Sequence, residues 1–429
     1  MLAATSSADI TPPIGVIAQG HFPAGPTHSI HLPLELRTIV FAQDDRRIAI
    51  VTLDIIGIER EHTSRIRRQI EQQTDIPGDC VLIACSHTHT GPPTLNLIGP
   101  APDAKYMAEL ERAAADSVVD ARRRLEPVTL GLGASSAHFN INRRPTPGSN
   151  GAMVPNTAEI IDRRVRVLRV DNADDHPMAL LFHYTCHPTS MASTQGYLTP
   201  DYPGVARTTV ESRFDCHALF LPGCFGNIRP NILNDQNQFR EATPDELDGL
   251  GRQLGDAVGK AAHYIRTFEA EALGANVREI TMPFGETLGV DELKRMAADV
   301  SKEYRQYLAN WARNVCDLLE RGAMPESEVS QMQAMRLGPL AIVAIPGEPV
   351  LEIGHAIERA MTGHIDVDDI WPVGYANDML GYLTTSRQKS EGGYEPTAFR
   401  HFLRPAAWSR DEETIIEAAV AMTENLGVR

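Results

Sequence analysis

The chain has 429 residues, 42% hydrophobic and 22% charged, with a formal net charge of -16. A chain this long can bury a large core, and its acidic balance opposes a sequence-independent grip on nucleic acid or an anionic membrane surface. No apolar run reaches the ~18–20 residues of a membrane span, the N-terminus lacks the basic and apolar regions of a secretory signal, and six cysteines without a Cys-x-x-Cys pair make neither a disulfide framework nor a zinc knuckle. A reduced, cytoplasmic location is the expectation.

In chain order, the Val-, Ile- and Leu-rich runs 36–41, 47–53 and 81–85 read as strands, with helical spacing of apolar residues over 60–73 and 106–125. Strands are expected again at 165–170, 179–184 and 218–221, and helices at 202–214 and 243–268. Thr243-Pro244 is a good helix start, a cap residue followed by proline at the first helical position. The last third adds strands at 275–282, 335–345 and 370–373, a helix at 349–361 and a closing helix at 410–424. Segment 290–321 is dense in charge and reads as one or two amphipathic helices, a solvated hairpin rather than a separate partner-binding module. Without a linker or a repeat, the pattern predicts one α/β domain over 1–429, a mixed β-sheet core flanked by helices.

Chemistry concentrates where strands end. His87-Thr-His89-Thr-Gly-Pro92 follows the buried-type run 80–85, and a spacing of two puts both imidazoles on one face of an extended chain. A plain turn after a strand is the alternative. His183 and His187 flank the end of the strand over 179–184, where His183 reads as a buried structural group and His187, before Pro188, as a functional one. Asp201 opens a helix, as a site carboxylate or as a helix cap. Gly223-Cys-Phe-Gly226-Asn227-Ile-Arg229-Pro-Asn231 crowds Asn227 and Arg229 beside glycines whose N–H groups are open, which suits a polar pocket wall or an anion contact. Glu348 stands at the Pro-Gly tip of another strand, as a ligand or a cap neighbour. Tyr382 and Tyr394 alone read as core or surface aromatics. Two histidines and a carboxylate from separate strand ends have the composition of a catalytic zinc site with an open position for water.

Ordered motifs from residue 9 to residue 395 resemble the neutral ceramidase family of zinc-dependent amidohydrolases. Asp9-Ile-Thr-Pro12, His87-Thr-His89-Thr-Gly-Pro92, Asn140-Ile-Asn-Arg143, His187-Pro-Thr-Ser-Met191, Asp201-Tyr-Pro-Gly204, Pro346-Gly-Glu348, Tyr382-Leu-Thr-Thr385 and Tyr394-Glu395 carry the likeness. The resemblance implies Zn2+ held by His87, His187, Glu348 and Tyr382, with His89, Arg143 and Tyr394 around the bound carbonyl. It thereby moves His89 from the metal to the substrate side. His89 is the candidate for proton transfer, since its unperturbed pKa lies near working pH, and Tyr394 is the candidate donor to the oxyanion. Asn227, Asp201 and Arg229 are the candidate substrate-binding residues.

Two departures bear on substrate. Arg229 stands where the family has serine, and a guanidinium suits a carboxylate or phosphate better than an apolar sphingoid chain. Set against the family's leader and C-terminal β-sandwich, the expectation for this chain is a short form with neither. The expectation is a zinc amidohydrolase that cleaves a linear N-acyl bond with zinc-activated water. Its substrate would be smaller and more polar than ceramide, with an anionic group held by Arg229 or Arg143. Hydrolysis of ceramide itself, a cysteine hydrolase built on Cys186 or Cys224, and a non-catalytic binding protein are the alternatives. No nucleic-acid or membrane-spanning partner is expected, and oligomeric state is not legible.

Overall fold

The computed structural model describes residues 1–21 and 24–426 and has four layers. Eight strands form the larger sheet: β1 (Leu2–Asp9), β2 (Glu35–Gln43), β3 (Arg46–Leu53), β4 (Val81–Cys85), β5 (Glu126–Ser136), β6 (Arg164–Asn172), β7 (Pro177–Tyr184) and β8 (His217–Pro222). Their spatial order is β8-β7-β6-β5-β1-β2-β3-β4. The outermost pairs, β3 with β4 and β7 with β8, are parallel and the inner pairs antiparallel. Each parallel pair needs a crossover. Helix α1 (Arg60–Gln73) makes the first and α3 (Asp201–Phe214) the second; α2 (Ala104–Arg122) and α4 (Pro244–Tyr264) pack beside them. Alternation along the strands splits the core: Val51, Ile83, Val167 and Phe182 face these helices, while Ile50, Leu82, Leu168 and Leu181 face the other way.

That second face packs on a four-stranded sheet of β9 (Leu273–Pro283), β10 (Ser327–Leu337), β11 (Leu340–Ala344) and β12 (Asp369–Val373), in that order. Its outer face is covered by α7 (Leu351–Met361) and by the closing helix Asp411–Leu426. The charged segment forms α5 (Val290–Ala298) and α6 (Glu303–Glu320), which share a small cluster of Leu293, Trp311 and Val315. The Trp311 indole N–H donates to the Arg404 carbonyl at 2.9 Å. The mixed α/β architecture flanked by helices is the one expected. The run 335–345 is not one strand: it turns at Gly338 (φ +54°) between β10 and β11, and apolar residues on both arms hide the turn. Strands β1 and β5 escaped sequence reading.

The chain step 373–377 beyond β12 positions the site. The Gly374 N–H donates to Pro222 at the end of β8, and Tyr375 O accepts from the Cys85 N–H at the end of β4. Opposite edges of the larger sheet therefore meet across two consecutive residues. On β4 the outward-facing groups are all engaged: Ile83 exchanges bonds with the Asn377 backbone N–H and side-chain oxygen, and Val81 O accepts from Arg67. The ends of β4, β7, β8, β11 and β12 are thus gathered at one place, the position where open α/β sheets hold ligands. Among the described residues no helix is long and apolar enough to cross a membrane.

Candidate metal centre and active site

His87 and His187 lie a hundred residues apart, yet their Nε2 atoms are 3.0 Å from each other. His87 leaves the end of β4 in the left-handed region (φ +67°), which costs energy for a branched-out side chain and persists only where surroundings impose it. The imposition is visible. The His87 N–H donates to Ile55 O at 3.0 Å, its Nδ1–H donates to Ile56 O, and the Tyr375 ring packs 4.3 Å from the imidazole. Tyr375 and Asn377 are themselves left-handed, at φ +57° and +65°. His187 follows β7; its N–H donates to Ile228 O and its Nδ1–H to Phe225 O, both at 3.0 Å. His89 donates Nδ1–H to Gly20 O at 3.0 Å and brings Nε2 to 3.1 Å from that of His87.

All three rings therefore spend their Nδ1 protons on backbone carbonyls and turn bare Nε2 lone pairs toward one point. Such a cluster repels itself unless a cation or proton sits among the lone pairs. Protonation is opposed: burial pushes His89 and His187 well below the ordinary imidazole pKa, and neighbouring charge (His87 for His89, Arg143 for His187) adds to it. The carboxylate of Glu348 completes the set. Its Oε2 is buried, has no hydrogen-bond partner, and lies 3.3 Å from His87 Nε2 and 3.6 Å from His187 Nε2. An orphaned carboxylate oxygen beside the Nε2 atoms of His87 and His187 fits a divalent cation, and the ligand atoms of His87, His89 and His187 lie within 4.8 Å of one another.

Glu348 and Tyr382 are direct partners in a short parallel pairing. Gly347 makes this possible: at φ +144° a side chain there would be strained, and a Cβ would sit 2.6 Å from Gly381 O. The Tyr382 hydroxyl accepts from Arg143 Nη2 at 2.8 Å, which leaves its remaining oxygen lone pair for another partner. Arg143 is also held by Glu395 at 3.0 Å and by Gly226 O at 2.6 Å, and stands 5.5 Å from the Tyr394 ring centre. Tyr394 exchanges a 3.3 Å hydrogen bond with His401 Nδ1.

The structure brings His87, His89, His187, Glu348, Tyr382, Arg143 and Tyr394 together and corrects four expectations. Asn227 is not free for substrate: its oxygen accepts from the Leu351 N–H and its nitrogen donates to Glu352, both at 2.9 Å, so the amide satisfies the start of α7. Asp201 is fully buried, and its carboxylate accepts from the Ser190 N–H and hydroxyl at 2.9 and 2.7 Å and from the Tyr202 N–H at 2.7 Å. It locks the loop after His187 and does not face substrate. The argument from an unperturbed His89 pKa also fails, because the buried ring is a neutral acceptor rather than a group poised near neutrality. Cys186 and Cys224 are buried, which pushes both thiols well above their ordinary pKa, the reverse of what a nucleophile requires. His183 is a buried structural histidine, donating to Pro372 O at 3.0 Å.

Arg229 lies outside the ligand cluster but beside it. Its strand Ile228–Pro230 pairs with Asn140–Asn142, the run leading into Arg143. Three residues were missed. Glu395, quoted above only as a motif letter, holds both Arg143 and Arg144. Tyr375 is the plate beneath His87. His21 packs its ring 4.8 Å from His89 and is pushed down to about 4 by burial and by Arg229. A single histidine in an irregular loop carries no periodicity that would mark it.

Known proteins resemble this chain in sequence and in fold. The family model for neutral/alkaline non-lysosomal ceramidase, N-terminal, matches residues 3–239. A curated neutral ceramidase of Mycobacterium tuberculosis is 24% identical over 445 residues, covering 86% of this chain and 69% of the relative. The crystal structure of neutral ceramidase from Pseudomonas aeruginosa superposes with a TM-score of 0.73 at 19% identity, over 100% of this chain and 75% of that one. A ceramidase complexed with C2 gives the same score and identity, with 76% of that chain covered. The chain belongs to the neutral/alkaline non-lysosomal ceramidase family.

Proposed function

We propose that the protein is a zinc-dependent amidohydrolase that cleaves the N-acyl bond of a linear amide, with His87, His187, Glu348 and Tyr382 holding the ion. The observation that carries this is the convergence of bare imidazole Nε2 atoms on the orphaned Glu348 oxygen. Zinc in such a site lowers the pKa of water toward neutrality and polarises a carbonyl. The chain's own residues supply the rest. Arg143 donates to the Tyr382 oxygen and so favours its ionised form against burial, which pushes Tyr382 well above its ordinary pKa. The Tyr394 hydroxyl donates to the developing oxyanion, backed by the adjacent Arg143 charge. His89, neutral and with its Nδ1–H committed to Gly20, keeps Nε2 as a fixed hydrogen-bond acceptor that orients the attacking water.

The acyl compound we favour is smaller and more polar than ceramide, because Arg229 borders the site where the family's motif has serine. Ceramide is the second reading, favoured by the names of the curated and structural relatives. The test is a chelated sample, reloaded metal by metal and assayed against fatty-acyl sphingoid bases, N-acyl amino acids and short neutral amides. One zinc per chain, with hydrolysis lost on chelation and restored by zinc, is expected. Full activity in a metal-free sample would refute the metal role, and turnover of ceramide alone would refute the smaller substrate.

A further inference from the structure

We infer that Arg229 is a specificity-determining residue that binds a carboxylate carried by the substrate beside the scissile amide. This rests on the reading above and sharpens it. The sequence leaves Arg229 and Arg143 as equal candidates for an anion; the structure separates them. Arg143 already has a charge partner: its Nε donates to Glu395, and its Nη2 donates to the Gly226 carbonyl and the Tyr382 hydroxyl. Arg37, Arg144, Arg166 and Arg207, buried arginines near carboxylates, are likewise tied to Glu211, Glu395, Glu358 and Asp54. Arg229 departs from that pattern. Its Nε is buried without a hydrogen-bond partner, and among the described residues it makes no ion pair. Its guanidinium is stacked over the Phe239 ring at 4.3 Å, a contact that fixes the plane of the fork and leaves its edge open.

Its position ties this free cation to the reaction. Arg229 is adjacent to Ile228, whose carbonyl holds the His187 N–H at 3.0 Å, and lies opposite Ile141, two residues before Arg143. Its charge acts on His21, the ring that packs against His89. His21 supplies a second open group: its Nδ1 is buried with no partner. The charge count selects the ligand. Burial and Arg143 both weigh against the Arg229 charge, lowering its pKa to about 10, so an anion there relieves a cost already present. Glu395 is shared between Arg143 and Arg144, and Asp201 and Glu241 act on Arg229 only through space, without an ion pair. A planar, singly charged carboxylate matches the open edge of this one guanidinium better than a phosphate dianion does.

The experiment compares three amides with the same hexanoyl group: hexanoylglycine, its uncharged ethylamide and the phosphate ester of its ethanolamide. Each is assayed with zinc-loaded full chain, and hexanoylglycine binding is measured by calorimetry on the same protein. The readout is the carboxylate-to-neutral ratio of kcat/KM, which is insensitive to general losses. We expect wild type to favour the carboxylate through KM, Arg229→Ala to shrink the ratio about tenfold or more, and Arg229→Lys to keep part of it, as loss of a charged hydrogen-bond partner predicts. Calorimetric affinity should fall in step. An unchanged ratio in Arg229→Ala, a wild-type preference for the neutral amide, or a stronger preference for phosphate would each overturn the carboxylate subsite. If none of the amides is hydrolysed but hexanoylglycine binds in an Arg229-dependent manner, the subsite stands and the amidohydrolase reading falls.

Discussion

A histidine becomes a ligand by what its other nitrogen does. His87, His89 and His187 each give Nδ1–H to a carbonyl, of Ile56, Gly20 and Phe225, so the fold itself sets every tautomer and leaves each Nε2 without a proton. The residue types at strand ends were legible; their division of labour was not. Asn227 and Asp201 look as functional in sequence as Glu348 does, yet backbone N–H groups consume them, and only the structure shows which polar groups are left over. Glu395 illustrates the converse, since its use lies wholly in holding two arginines. On the proposed zinc-dependent function, Glu395→Gln should lower kcat ten- to a hundredfold, because Arg143 loses its charge partner and Tyr382 its oriented donor, while zinc content stays that of the wild type. Loss of zinc in that variant, measured by elemental analysis, would make Glu395 part of the metal site rather than a positioning residue.

At the scale of elements, apolar runs announced the strands that end beside His87 and His187, because strands buried on both faces are continuously hydrophobic, whereas the two-residue pairing of Glu348 with Tyr382 gave no such signal. The strands at the centre of the sheet were silent. Strand β1 is built of Ala, Ser and Thr, and β5 alternates with glycine because the chain beyond α4 presses onto it. A Cβ at Gly131 would lie 2.3 Å from Arg266 O. Close packing of an element against a sheet selects small residues, and small residues carry no periodic signal. The crossover helix α3 is pinned by Arg207, whose two nitrogens reach the Asp54 carboxylate beyond β3 at 2.7 and 2.6 Å in full burial. Arg207→Met should cost about 3–5 kcal/mol in urea unfolding, since it leaves the buried Asp54 carboxylate without a counter-charge and with only the Glu35 N–H to hold it. A loss under about 1 kcal/mol would mean that water satisfies the freed carboxylate.

For the molecule as a whole, segments from Gly20 to His401 meet at one centre, so the site exists only when both sheets are docked. Length, acidity and alternation sufficed to expect layered α/β; the docking of a second sheet was not written in any local pattern. The same burial sets acid sensitivity. Burial pushes His183 down to about 3 and His401 to about 4, below the ordinary 6.5. The unfolded chain then takes up protons first as pH falls, so this stability is complete above about pH 6.5 and drains away toward the folded-state values. His183, 3% exposed, alone should account for about 2 kcal/mol lost at pH 5 relative to pH 7.5. Urea midpoints that stay level between those pH values would contradict this.

The stitching of β4 has a consequence unrelated to catalysis. A sheet's last strand normally offers a ladder of free N–H and C=O groups on which another chain can build, and proteins blunt that ladder with charge, proline or a cover. Strand β4 is wholly apolar, Val-Leu-Ile-Ala-Cys, and has none of those guards of its own. Its protection is borrowed: Asn377, Tyr375 and Arg67 occupy the ladder from a distance in sequence of up to nearly three hundred residues. The segment that aims His87 is therefore also what keeps this strand from recruiting a neighbour, and until residues 375–377 have been made the N–H and C=O groups of Ile83 and the N–H of Cys85 lack these partners.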